Sequence, residues 1–245
     1  MTSAAVKQQV LELGGAFMVS REARDFAQVT GVPGFHGTYM RGRGGVLGEV
    51  DAEVVSAAFG FFEPKCVRAA WESVSMPAAE AATGYAEVCR DFGRRKLAGF
   101  DRADRLAELL KRVVDAAPSA GLPLFAGWRA MPLPDDGPGA ALQLTHVLRE
   151  LRGGLHLLAV LATGLTPLQA ILVAGSPIFD GPNHARHLGW PEPFEPLTDD
   201  ITARWNAAEK LTEELTAPCF EVLDETEREE LSELMREAHR VALAR

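Results

Sequence analysis

Apolar residues recur at helical spacing along almost the whole chain, and the clearest run is residues 141–164, ALQLTHVLRELRGGLHLLAVLATG. At 100° per residue, Leu144, Val147, Leu148, Leu151, Leu155 and Leu158 share one broad face. Thr145, Arg149, Arg152 and His156 form a second stripe at spacings of four, three and four, with His146 and Glu150 beside it. Gly153 and Gly154 interrupt the pattern, each at about 1 kcal/mol relative to alanine in a helix interior. Glycines kept in such a place point to the close approach of a neighbour or a ligand.

The same periodicity predicts helices on either side. Residues 6–19 form the first, Ser20 caps a second over 21–30, and GVPG (31–34) stops it. Residues 35–50, FHGTYMRGRGGVLGEV, carry five glycines among His36, Tyr39, Arg41 and Arg43 and predict a loop whose backbone can approach a partner. No strand precedes it, so it is not a phosphate-binding turn. Further helices are predicted from Asp51 to near Pro64, with Phe59, Phe61 and Phe62 as core residues, then over 64–74, 78–97 and 101–117. The Pro- and Gly-rich stretch 118–139 predicts an ordered loop anchored by Leu122, Leu124, Phe125, Trp128 and Met131. Beyond the central helix, Thr166-Pro167 opens a short helix over 168–173, and 175–196 is irregular. Residues 197–200 cap a helix over 201–215, and Asp224 caps a strongly charged one over 225–243. No strand pattern occurs. The prediction is all-α, a multi-helix bundle around a central buried helix.

Composition narrows the function classes. The 245 residues suffice for a sizeable core, and a net charge of −9 argues against general nucleic-acid binding, which needs clustered Lys and Arg. Cys66, Cys89 and Cys219 lie far apart without a CxxC pair, as expected of reduced thiols in the cytoplasm. The N-terminus lacks a basic segment followed by an apolar run, and no apolar run is long enough to span a bilayer, so a cytoplasmic protein without membrane contact is expected.

Several short motifs carry a resemblance: GTYMRGRGGVLG, FGFFEP (59–64), LPLFAGWRAMPLPDD (122–136), LRELRGGLH (148–156), Gly189-Trp190 and LTDDITARWNAAEKLTEELTAP (197–218). The chain resembles a largely actinobacterial family with a helical N-terminal part and a MarR-like winged-helix C-terminal part. The resemblance implies a division into residues 1–164, carrying a ligand pocket, and 165–245, a degenerate winged-helix-like and helical region. It departs from the family in two places. The family pattern Arg-Glu-His-Arg-Gly-Asp-x-His reads here Arg149, Glu150, Leu151, Arg152, Gly153, Gly154, Leu155, His156. Between Trp190 and Leu197 the family's recognition-type helix and wing are replaced by PEPFEP, whose three prolines exclude an α-helix. On that ground no sequence-specific DNA binding is expected.

The candidate chemistry centres on the two arginine-bearing stretches. Arg152 and His156, with Glu150, are the candidate catalytic groups, Arg for an anionic or polar substrate and His for proton transfer. Tyr39, Arg43, Arg149, His36 and His146 are candidate ligand contacts, Arg43 favoured over Arg41 because it matches the family's Gly-Arg pair. The competing reading is a solvated helix face and an ordinary surface loop. His184 and His187 are one turn apart with Asp180 nearby, but a third and fourth ligand are missing, so no metal is assigned and no cofactor is expected. The acidic tail helix reads as a solvated face or a homodimer contact. These features favour a cofactor-independent small-molecule enzyme of specialised metabolism, with a non-catalytic ligand sensor or a MarR-like regulator as alternatives.

Overall fold

The computed structural model describes residues 2–31, 34–176 and 178–243. Among them the chain forms thirteen α-helices and no strand, the all-α fold that the periodicity predicts. In chain order they are α1 (Thr2–Ala16), α2 (Arg21–Val29), α3 (Phe35–Gly44), α4 (Ala52–Phe59), α5 (Pro64–Glu72), α6 (Ala78–Lys96) and α7 (Ala103–Ala116). There follow α8 (Pro123–Ala130), α9 (Gly137–Ala162), α10 (Pro167–Ala174), α11 (Gly181–His187), α12 (Asp199–Thr216) and α13 (Glu225–Leu243).

Side-chain caps set many of the boundaries by satisfying amide groups that have no partner in the first turn. Ser20 Oγ accepts from the Ala23 amide, and Asp136 Oδ1 accepts from Gly139 at 2.8 Å to open α9. Thr166 and Gln169 cap α10 reciprocally. Asp224 and Glu227 do the same for α13. Val32 and Pro33, half of the expected stop after α2, lie outside the described residues, as does Pro177 of the irregular 175–196 stretch.

Helix α9 is the centre. Residues 139–148 are buried without a break, and α1, α6, α7, α8 and α12 all pack along it. The helices on both sides of residue 164 therefore share one neighbour. Helix α13 lies across α1 and α7. No single helix among the described residues is long and apolar enough to cross a membrane.

Three segments differ from the sequence expectation. Residues 35–50 are not a glycine loop but helix α3 and a following 3-10 turn (Gly45–Leu47). Their glycines serve packing. A Cβ on Gly42 would stand 2.6 Å from the Tyr85 ring, and one on Gly45 would stand 2.2 Å from the Ala78 carbonyl oxygen of α6. The missing side chains let two helices cross closely, which offsets their poor helix propensity. Within 118–139, Pro123 at the first helical position starts α8, which buries Leu124, Phe125 and Trp128. Within 175–196, Asp180 caps α11 by accepting from the Asn183 amide.

The acidic tail helix also departs from a simple solvated face. Glu227 and Glu230 of α13 pair with Arg112 and Arg105 of α7, the latter at 2.7 Å, and Glu237 pairs with Arg102. Half of the helix's acidic stripe is thereby used inside the chain.

Candidate functional site

A cavity of about 1040 Å³ opens between α9 and the helices around its C-terminal half. Helix α9 contributes Arg149, Glu150, Arg152, Gly153, Gly154 and His156; α3 contributes Tyr39 and Arg43; α1 contributes Lys7. Phe59, Phe61 and Phe62, together with Leu122, form an apolar wall. The remaining side is built by α10 and α11, through Ile171, Ala174, His184, His187 and the following Leu188.

The arginine stripe points inward, because α9 is covered on both sides. Arg152 is 6% exposed. Arg43 meets Glu150 as a two-point pair, Nε to Oε1 at 2.8 Å and Nη2 to Oε2 at 2.7 Å. The Arg43 guanidinium also lies over the Phe59 ring, 4.5 Å from its centroid. Burial acts to raise the Glu150 pKa, but Arg43, with His146 and Arg149 behind it, outweighs it and holds the carboxyl at about 2. Burial likewise works against charge on Arg43, and the attraction of Glu150 keeps it firmly protonated. Glu150 is thus a locked counter-ion rather than a proton acceptor.

One turn further along, the partners come from α12. Arg152 Nη2 stands 3.2 Å from Glu213 and 3.4 Å from Glu209, and Lys7 pairs with Glu209. His156 Nδ1 is 2.9 Å from Thr212 Oγ1. The Thr212 hydroxyl donates to the Ala208 carbonyl, so its oxygen accepts from the imidazole, which fixes the neutral Nδ1–H form. Burial pushes the His156 pKa down to about 4 against the opposing pull of Glu209. Its ring stacks on Phe61 and meets Trp205 edge-on.

Two of the candidate contacts lie outside the lining. His146 is fully buried between Phe17 and Trp128, with Nδ1 3.2 Å from the Gly14 carbonyl, and burial pushes its pKa to about 4. His36 Nε2 lies 2.8 Å from the His187 carbonyl and ties α3 to the end of α11. The glycine pair also meets a different neighbour than expected. A Cβ on Gly154 would stand 2.7 Å from Leu122, and one on Gly153 would meet nothing within 4 Å. Neither touches the segment carrying Tyr39 and Arg43; Gly153 leaves room in the cavity.

Lys7, Glu209, Glu213 and Trp205 were not singled out in the sequence. Glu209, Thr212 and Glu213 are spaced by three and one on α12, a polar stripe that complements Arg152 and His156 across the interface. Reading each helix alone conceals such a match. In the histidine-bearing stretch, Asp180 is committed to its cap, and the His184 imidazole, whose pKa burial lowers, bonds through Nδ1 to the Gly175 carbonyl at 2.9 Å. The His187 ring packs against Phe35 and Phe179. Among the described residues no group of three or more His, Cys, Asp or Glu side chains is placed to hold a metal ion.

No curated protein and no solved structure matches the chain. The model of a helix-turn-helix family, however, matches residues 3–245. This match corrects two expectations, an enzyme working through His156, Glu150 and Arg152, and the absence of sequence-specific DNA binding. It gives no support to a specifically MarR-like or actinobacterial assignment. The chain belongs to the helix-turn-helix family over essentially its whole length.

Proposed function

We propose that the protein is a sequence-specific DNA-binding regulator that uses α10 and α11 as its helix-turn-helix and the adjoining cavity as a small-molecule sensor. The observation that carries this reading is the family match over residues 3–245. The choice of helices follows from α11 presenting an exposed polar face beside α10. Helix α10 opens on a capping box and ends at Gly175 with φ of 59°, and residues 175–180, a connection longer than the usual three- to four-residue turn, end on the Asp180 cap of α11. Ala185 and Leu188 face the core, whereas Pro182, Asn183 and Arg186 are exposed.

The resembled family carries its reading helix at the place of 191–196, where prolines forbid one in this chain. In this proposal that helix lies ahead of the proline segment, at 181–187. Arg186 bonds to Asn183 and, at 2.6 Å, to Glu192. On a duplex, a phosphate or a guanine edge would replace Glu192. The Glu63 amide donates to the Leu188 carbonyl at 3.0 Å, which sets the start of α5 beside the end of α11. Exposed Lys65 of α5 adds positive charge to that side of a chain whose net charge is −9, whereas Arg68 beside it is paired with Glu53 and Glu72. The site residues Tyr39, Arg43, Arg149, Glu150, Arg152 and His156 belong, in this reading, to the sensor, and His36 and His146 support it from behind. A ligand touching Ile171, His184 and Leu188 would bias the position of the two helices directly.

A mobility shift with the DNA upstream of the protein's own gene tests the proposal. A discrete complex competed by the same duplex, and not by an unrelated one, is the expected result. Smearing that either duplex competes equally would overturn it.

A further inference from the structure

The charges around the cavity do not cancel, and the residue left over is Arg149. Arg43 is matched by Glu150, and Lys7 and Arg152 share Glu209 and Glu213. Arg149 stands 3.6 Å from Glu150, a carboxylate already held at both oxygens by Arg43, and makes no hydrogen bond among the described residues. The Nε atoms of Arg149 and Arg152 are buried without a partner. Arg149 Nε lies against α1, so a molecule in the cavity would meet the Nη end of the guanidinium; the Arg149 side chain is 26% exposed. Burial keeps His156, His184 and His187 from adding further positive charge.

The backbone is arranged to keep Arg149 in this place. A Cβ on Gly15 would stand 3.1 Å from Arg149 Nε, so the glycine lets the arginine lie across α1. One turn along α9, Gly153 leaves the space beside Arg149 open. Past that space stands the apolar wall of Phe59, Phe61, Phe62 and Leu122. A volume of about 1040 Å³ accommodates a molecule far larger than an inorganic anion.

We infer that the cavity takes a monoanionic organic acid with a bulky apolar body, its carboxylate at Arg149 and its body against the phenylalanine wall beside α10 and α11. This inference rests on the proposal that the cavity is a sensor, and it names the chemical class that the sensor detects. One unmatched cation calls for one negative charge, and the planar guanidinium fork suits a carboxylate.

Three fluorescent probes with one body and different heads test it: pyrenebutyrate, pyrenebutanol and pyrenebutylamine, titrated into the full chain without DNA. Leaving DNA out separates failure of this inference from failure of the DNA-binding proposal. The carboxylate is expected to bind about tenfold or more tighter than the alcohol, and the amine weakest. Arg149→Gln should bring the carboxylate to within about twofold of the alcohol and leave the alcohol unchanged, and Arg149→Lys should restore part of the preference. Gly153→Leu should weaken all three probes by filling the cavity while the circular-dichroism melt stays cooperative. Should Arg149→Gln fail to fold, the head-group order in the unmodified chain and the Gly153→Leu result decide. The inference is overturned if the amine or alcohol binds as tightly as the carboxylate, if the preference survives Arg149→Gln, or if no probe binds saturably up to about 1 mM.

Discussion

Arg43 and Glu150, 107 residues apart in sequence, form a two-point ion pair in which the carboxylate side chain is only 1% exposed. The pair joins α3 to the central helix and closes one side of the cavity. Removing either partner leaves a buried charge alone, so Glu150→Gln and Arg43→Ala should each destabilise the chain by about 3–5 kcal/mol. The double replacement Arg43→Met/Glu150→Leu should recover most of that loss. Urea unfolding followed by circular dichroism measures all three, and additive losses in the double variant would show that the two side chains do not act as a pair.

Stability should fall on acidification in two stages. His146 titrates at about 4 in the folded chain and near 6.5 when exposed, so the unfolded state binds its proton more readily between those values. Its contribution is complete above pH 6.5 and is lost on the way down to 4, about 3 kcal/mol in all. His156, also at about 4, acts in the same window. Glu150 follows: its pKa of about 2 lies below the ordinary carboxylate value, so its share is complete above about 4.5 and is lost towards 2. Unfolding free energies across this range should therefore decline from near pH 6.5, and His146→Asn should flatten the first stage by roughly half. A wild-type profile level between pH 6.5 and 5 would contradict the burial of both imidazoles in neutral form.

Two glycines should answer oppositely to alanine. A Cβ on Gly45 would stand 2.2 Å from the Ala78 carbonyl oxygen, so Gly45→Ala forces the 3-10 turn after α3 away from α6 and should cost about 2 kcal/mol or more. A Cβ on Gly153 meets nothing within 4 Å inside a helix, so Gly153→Ala should raise stability by up to about 1 kcal/mol. Thermal melts of the two variants side by side check this, and equal shifts would contradict the packing described.

The helices and their caps were legible because they are local. Ser20, Thr166, Thr198 and Asp224 announce their boundaries within three residues. The glycine-rich 35–50 stretch was misread because glycine signals the same thing in a flexible loop and in a close helix crossing. Only Tyr85 and Ala78, more than thirty residues away, decide between them. The inward arginine stripe was visible as a pattern, but its meaning depends on Glu209 and Glu213 of α12. The pairing of α10 with α11 escaped notice because α11 is short and sits among prolines. Proline in the first turn after Asp180 starts a helix there, where the prolines of 191–196 prevent one.

The central claim, that α10 and α11 form a sequence-reading helix-turn-helix, is tested most directly by selection from a random duplex library. The full chain, at about 50 mM salt, should enrich a defined sequence over successive rounds, with affinity falling steeply as salt rises. Arg186→Ala, whose side chain meets Asn183, Glu192 and the Phe194 ring at the surface, should lose that enrichment and keep its thermal melt. A pool that stays random with the unmodified chain, or an enriched sequence bound equally by Arg186→Ala, would contradict the assignment.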